Sequence, residues 1–248
     1  NAQNQTGILK GSKMKRYTGR FNATQKFWDD RLSIDVNLTA ANTNNRRPPI
    51  DGLLGGAISN NPTLPARDAD GSPAKFENAG NPLLDLELYK DIASVNRVLG
   101  NISPTLRIIK GLTYKLNFGI DNTTTTRDIV NFANAEPQRD GRFETQGIQL
   151  RNRLIENYLT YTTDIDKHTL SALAGHSYQN IFYQYRSSSI NKLPLNDLDP
   201  TYNPGIGQEL TMANNRPTGN ANINELQSYF ARINYAFDNR YLLTASFR

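Results

Sequence analysis

The chain has 248 residues, 28 Lys and Arg against 23 Asp and Glu, two His and no Cys. Without cysteine there is neither a disulfide framework nor a thiolate metal site, and no apolar run reaches the ~18 residues of a membrane-spanning helix. The net charge of +5 is spread singly from Lys10 to Arg248; nucleic-acid binding asks for a basic patch on a recognisable module, so no nucleic-acid partner is expected.

The dominant signal is alternation. Asn1 to about Ile8 reads as the end of a strand, and Tyr17, Gly19, Phe21 and Ala23 then oppose Arg16, Thr18, Arg20 and Asn22. Leu32, Ile34, Val36, Leu38 and Ala40 alternate with Ser33, Asp35, Asn37 and Thr39. Ile102, Leu106 and Ile108 form a weaker copy interrupted by Pro104, where a bulge is expected because proline has no N–H for the ladder. Leu112, Tyr114, Leu116, Phe118 and Ile120 follow. Segment 147–163 is the least regular, with Leu150 and Leu154 in one phase and Ile155, Leu159 and Tyr161 in the other. Segment 168–186 starts in phase at Leu170, Ala172 and Ala174 and ends in an aromatic run, and the last two alternating stretches lie at 228–237 and 241–248. Period two predicts strands with one apolar and one polar face.

The connections alternate as well. Phe27–Asp30, Ile109–Gly111, Asp164–Lys167 and Asp238–Arg240 are short turns, while 43–95, 123–146 and 187–225 are long and polar. An antiparallel meander then carries its tight turns at one end and its long loops at the other, as transmembrane β-barrels do. Phe27, Trp28, Tyr114, Tyr161, Tyr235, Phe237 and Tyr241 gather near the short turns, in the manner of an interfacial aromatic girdle. The polar phase, with Arg16, Arg20, Asp35, Arg107, Lys115, Asp121 and Arg232, would face the lumen. The predicted fold is all-β: about eight strands of an antiparallel up-and-down transmembrane barrel.

Chemistry-bearing motifs are sparse. Asp68, Asp70 and Gly71 hint at a calcium loop, but the later acidic ligands are missing and a turn is the better reading. The sequons at Asn22 and Asn37 fall inside predicted strands. His168 and His176 have no motif partner, and Glu77, Glu87 and Asp91 are carboxylates whose spacing alone defines no catalytic pair. No enzyme activity, cofactor or metal is expected. Tyr183 and Tyr185, at the end of segment 168–186, and Tyr202, in segment 187–225, are the weak loop candidates for stacking on a ligand.

The stretch Asn96–Pro104, continuing through Ile109-Lys110-Gly111-Leu112 to Phe118-Gly119-Ile120-Asp121, resembles the SusC/RagA family of TonB-dependent outer-membrane transporters. So do Gly7–Ser12, Glu156–Tyr161, Leu173–Gln179 and Asn239–Arg248, in the same order along the chain. The resemblance implies a partial barrel domain over 1–248, with the plug and TonB box outside it. It further implies import of oligosaccharide or peptide, a SusD-like surface lipoprotein, TonB acting from the periplasm, and an outer membrane of the Bacteroidetes kind. Two other readings of the residues stay open: a small complete outer-membrane barrel with a structural or adhesive role, and a secreted glycan-binding β-sandwich. Flanking sequence and detergent dependence separate the three.

Overall fold

A computed structural model describes residues 1–76, 80–135, 138–195, 199–207 and 215–248. Among these, nine strands form one antiparallel sheet in chain order. They are β1 (Ala2–Thr6), β2 (Lys13–Phe27), β3 (Leu32–Arg46), β4 (Tyr89–Ile109), β5 (Leu112–Asn131), β6 (Gly141–Ile165), β7 (His168–Leu193), β8 (Thr218–Phe237) and β9 (Tyr241–Phe247). Eight match the predicted alternating segments, and β1 is the strand end read at residues 1–8.

The turns that join β2–β3, β4–β5, β6–β7 and β8–β9 are short. Asp238 and Asn239 both adopt positive φ, at 49° and 51°, the left-handed backbone of a type I′ turn, closed by the Arg240 N–H donating to the Phe237 carbonyl at 2.9 Å. Trp28, Asp29 and Asp30 adopt it in succession. Gly111 has φ 82°, and a Cβ there would lie 2.3 Å from the Thr162 carbonyl oxygen, so this turn requires glycine.

At the other end the strands run much further than the alternation showed. β5 reaches Asn131, β6 starts at Gly141, and β6 and β7 are 25 and 26 residues long. Most of the predicted loop 123–146 is therefore strand, as are 43–46, 89–95 and 187–193. The β1–β2 connection, Gly7–Ser12, lies at this end too and is short, closed by the Gly7 N–H donating to the Ser12 carbonyl at 3.1 Å.

Alternation is confined to the part of each strand next to its short turn. On β3 the apolar phase runs from Leu32 to Ala40 and then gives way to Asn42 and Asn44; on β4 it runs down from Val98, and on β5 up to Ile120. That is about nine residues per strand, the length that crosses a membrane. The register keeps the phase across the sheet: Leu32 stands opposite Leu106, then Tyr114, Leu159, Ala174, Ala231 and Phe247. All seven girdle aromatics lie at the short-turn end. All seven charged residues assigned to the polar phase fall on the opposite face.

The irregular segment 147–163 keeps its register throughout. Ile155, Leu159 and Tyr161 join the apolar face, and Leu150 and Leu154 point to the polar one. The bulge expected at Pro104 is not there. Pro104 pairs with Ile34, and the ladder to β5 passes over Ser103 and Pro104 and resumes in unchanged register at Thr105. The missing N–H is thus absorbed on one side of the strand, and the register shift sits between Arg107 and Ile109, at the hairpin end.

The loop end has its own small core. Val130, Phe143 and Leu193 are buried together, with Phe132, Ile190 and Ile206 against them. The β3–β4 connection folds into α1 (Ile50–Ser59) and α2 (Pro82–Glu87), which lie against each other, α2 also touching β4. Asn81 organises it: its side-chain oxygen caps α2 by accepting from the Leu83 N–H at 3.0 Å, and its amide donates to the carbonyls of Ala66 and Ala74, each at 2.9 Å. Asp70 is a turn residue, its Oδ1 accepting from the N–H and hydroxyl of Ser72. Those bonds hold its carboxyl below the usual carboxylate range.

Candidate functional site

The polar face carries a hydrogen-bonded ladder across strands. On β2 and β3 the Thr24 hydroxyl donates to Asp35 at 2.6 Å. On β4, β5 and β6 the Asn101 amide donates to the Ser103 hydroxyl at 3.2 Å, Ser103 donates to the Asn117 Oδ1 at 2.7 Å, and the Asn117 amide donates to Glu156 at 3.0 Å. Above them Arg97 holds Asp121 with two parallel bonds of 2.9 and 2.7 Å, and the Gln179 amide donates to Asn152 at 3.0 Å. Apart from Asn101 and Ser103, two residues apart on β4, these partners stand opposite or diagonal to one another across neighbouring strands, where side chains meet.

Two glycines shape this face differently. Gly119 sits between Asn101 on β4 and Leu154 on β6. Its missing side chain leaves a depression of about 330 Å³ bordered by Asn37, Asn101, Asn117, Asp121, Asn152 and Leu154. Gly175 sits between Tyr158 and Phe230, and there the Phe230 ring lies over the glycine and meets Tyr158 with ring centroids 5.7 Å apart. One gap is open and lined by amides; the other is closed by an aromatic.

Higher on the same face lies a buried ion pair. Arg127 grips Asp91 with bonds of 2.8 and 2.6 Å, and the Asp91 side chain is 1% exposed. The Asp91 backbone carbonyl also accepts from the Arg47 N–H, where the β3–β4 connection leaves the sheet. On the apolar face at this height Lys90 pairs with Asp199 and donates to the Thr201 hydroxyl. Burial raises the Asp199 pKa, but the Lys90 ammonium and the Thr201 bonds outweigh it and hold the carboxyl below its ordinary value.

No protein-family model matches the chain. Against curated proteins it is 30% identical over 264 residues to TonB-dependent receptor P39 of Formosa agariphila, covering 98% of this chain and 23% of that protein. TonB-dependent receptor SusC of Bacteroides thetaiotaomicron is 26% identical, with 98% and 26% covered. Among solved structures, the RagAB peptide transporter superposes with a TM-score of 0.77 at 22% identity over 95% of this chain and 27% of that one. The closed-closed state of the RagAB peptide importer gives 0.76 over 98% and 28%.

The sheet has the fold of the RagAB barrel wall.

The chain spans about a quarter of the length of the relatives it matches. Those relatives are named as receptors and transporters, not enzymes. In a barrel wall of that fold the apolar face is the outer one and the polar ladder lines the inside, so the three tyrosine candidates separate. Tyr183 and Tyr185 are not in a loop. They lie in β7, opposite Leu150 and Ile148, two residues apart on the inner face above Gln179. Tyr202 does sit in a loop, is 87% exposed and has the Lys90 ammonium 5.7 Å from its ring centre. Lys90 belongs to the outer face, so the structure brings two tyrosines together and leaves the third outside.

Asp91 is occupied by Arg127, Glu87 ends α2, and Glu77 lies outside the described residues. His168 Nδ1 is 2.6 Å from the Tyr235 hydroxyl, and its ring stacks with Tyr235 and lies tilted against Phe237 at the short-turn end; His176 packs on Tyr229. The inner ladder of Asn101, Ser103, Asn117 and Glu156 escaped the sequence reading because polar residues of one phase are unremarkable until the register sets them side by side.

Proposed function

We propose that this chain forms part of the barrel wall of a TonB-dependent outer-membrane importer, as a partial barrel domain over 1–248. The observation that carries the reading is the outward apolar band. It is about nine residues deep on β3, β4 and β5, begins at the short turns, and is backed by a hydrogen-bonded polar inner face; on β6 it includes Asn157, whose Oδ1 accepts from the Tyr114 hydroxyl at 2.6 Å. The strands continue past the band as a stem that raises the long connections above the bilayer. There the connections can meet a SusD-like surface lipoprotein and an incoming oligosaccharide or peptide; TonB acts through other parts of the protein. Tyr183 and Tyr185 point from the stem toward the passage, where stacking on a sugar ring or peptide side chain is open to them. The small adhesive barrel and the secreted sandwich are not favoured, since the structural neighbours are transporter barrels.

The test is fractionation of cells that make the full-length protein, with gel mobility compared before and after boiling. A heat-modifiable band in the outer membrane that co-purifies with a lipoprotein is expected. Extraction without detergent, at unchanged mobility, refutes the proposal.

A further inference from the structure

On the outer face the band ends at the same kind of residue on strand after strand. The first outward side chains above it include Lys15, Asn42, Asn96, Asn122, Arg153 and Asn180. Some of these amides already form a chain: Asn42 donates to Asn96 at 2.7 Å, and Asn44 donates to Asn42 at 2.8 Å. Such a collar lies where aliphatic chains give way to lipid headgroups. It offers amide donors and acceptors at a level where the bilayer presents its own polar groups.

Arg151 and Arg153 stand out within it. Both point outward from β6, two residues apart, on the rows of Asn122 and Ile120. Arg151 lies over the Phe182 ring, its Cζ 4.3 Å from the centroid, so the guanidinium is fixed in orientation by cation–π contact. Its Nε has no hydrogen-bond partner, and neither does the Oδ1 of Asn122 directly opposite. Among the described residues neither arginine nor Lys15 forms an ion pair. The acids on the outer face are engaged elsewhere. Glu225 accepts from Tyr178 and Asn180 at 2.7 and 2.8 Å, and Asp128 accepts from Thr145 at 2.7 Å.

We infer that this outer collar, centred on Arg151 and Arg153, is a docking surface for the phosphorylated sugar headgroup of an outer-leaflet glycolipid. Two guanidiniums without acid partners match phosphate oxygens in charge and in bidentate geometry. The flanking amides match sugar hydroxyls, and the apolar band below takes the acyl chains. The inference rests on the outer-membrane barrel reading and adds a partner to it.

The test uses the full-length protein purified from outer membranes in detergent. Heat-modifiability is measured first. A protein that fails it overturns the barrel reading and this inference with it. A protein that passes is incubated with bisphosphorylated lipid A or with the same glycolipid stripped of phosphate, and bound lipid is counted by native mass spectrometry. The wild type is expected to retain the phosphorylated form at least tenfold better. The Arg151→Gln/Arg153→Gln double variant is expected to lose that preference while staying heat-modifiable, and Arg151→Lys/Arg153→Lys to keep part of it. Equal retention of the two lipids by the wild type, or an unchanged preference in the Gln variant, overturns the inference and leaves the barrel reading standing.

Discussion

Replacing Gly175 by alanine tests the packing of the inner face. A Cβ built there lies 2.3 and 2.4 Å from Phe230 Cε2 and Cζ, and 3.1 Å from the Asn157 carbonyl oxygen. The ring must therefore lift off the backbone and away from Tyr158. Overpacking of this kind costs about 1–3 kcal/mol, and loss of the aromatic pair adds about 0.5–1.5 kcal/mol. Removing a glycine from a strand returns about 0.5–1 kcal/mol. The expected net loss is roughly 2 kcal/mol. Gly119 is the matched control, since a Cβ there meets nothing closer than Leu154 Cβ at 3.6 Å; Gly119→Ala should be neutral or stabilising by up to about 1 kcal/mol. In a Phe230→Ala background the Gly175→Ala penalty should largely vanish, a coupling of about 2 kcal/mol. Urea unfolding of the full-length protein in lipid or detergent, read by loss of the compact band on unboiled gels, measures all four variants. If Gly175→Ala is as mild as Gly119→Ala, or adds independently to Phe230→Ala, the reasoning is refuted.

Three further outcomes follow from the geometry. Asp91→Asn removes the negative charge and one of the two oxygens that accept from Arg127, and leaves a guanidinium whose side chain is 29% exposed; the cost should sit near the lower end of the ~3–5 kcal/mol for breaking a buried pair. Hydrogen exchange should show the loss around residues 47 and 127 first, and unchanged protection there refutes it. The Asp199 carboxyl is held low in the folded state, so its contribution is present above the ordinary carboxylate pKa and is lost as pH falls through the folded value. Exchange in residues 199–207 should accordingly rise only on acidification below about pH 4, and Lys90→Gln should shrink that step, leaving the part held by the Thr201 bonds. Gly111→Ala meets the Thr162 carbonyl oxygen at 2.3 Å in a left-handed turn. It should sharply reduce the yield of folded barrel in outer membranes, and wild-type yield would contradict the need for glycine.

The lower half of the sheet was legible in the sequence because lipid on one side and polar groups on the other impose period two there. Leu32–Ala40 and Leu112–Ile120 carry that imprint without interruption. Above the band both faces meet polar surroundings or loop residues, and the imprint fades. Thr123–Thr126 read as loop although they are paired residue for residue with β6. Tyr183 and Tyr185 were placed in a loop for the same reason, and their shared face became visible only through their partners on β6. The Asp91–Arg127 pair joins residues 36 apart in sequence, which no local pattern announces. The SusC/RagA resemblance rested on ordered short motifs, where no single strand would have sufficed.

The register also fixes an angle. Leu32 adjoins its turn, yet the hydrogen-bonded row that starts there arrives six strands later at Phe247, about six residues up from Tyr241 at the turn of β8 and β9. With all short turns at one level, each strand is offset from its neighbour by about one residue. An offset of ~3.3 Å against a spacing of ~4.8 Å inclines the strands by roughly 35° to the barrel axis, within the range for membrane barrels. Projected at that slant, nine apolar residues rise about 24 Å, close to the ~25 Å height of a lipid-facing band. Hydrophobic thickness is thus set by two independent counts, the apolar residues per strand and the slip per hairpin. Inserting a residue pair in one turn would shift both at once and strand a charge in hydrocarbon.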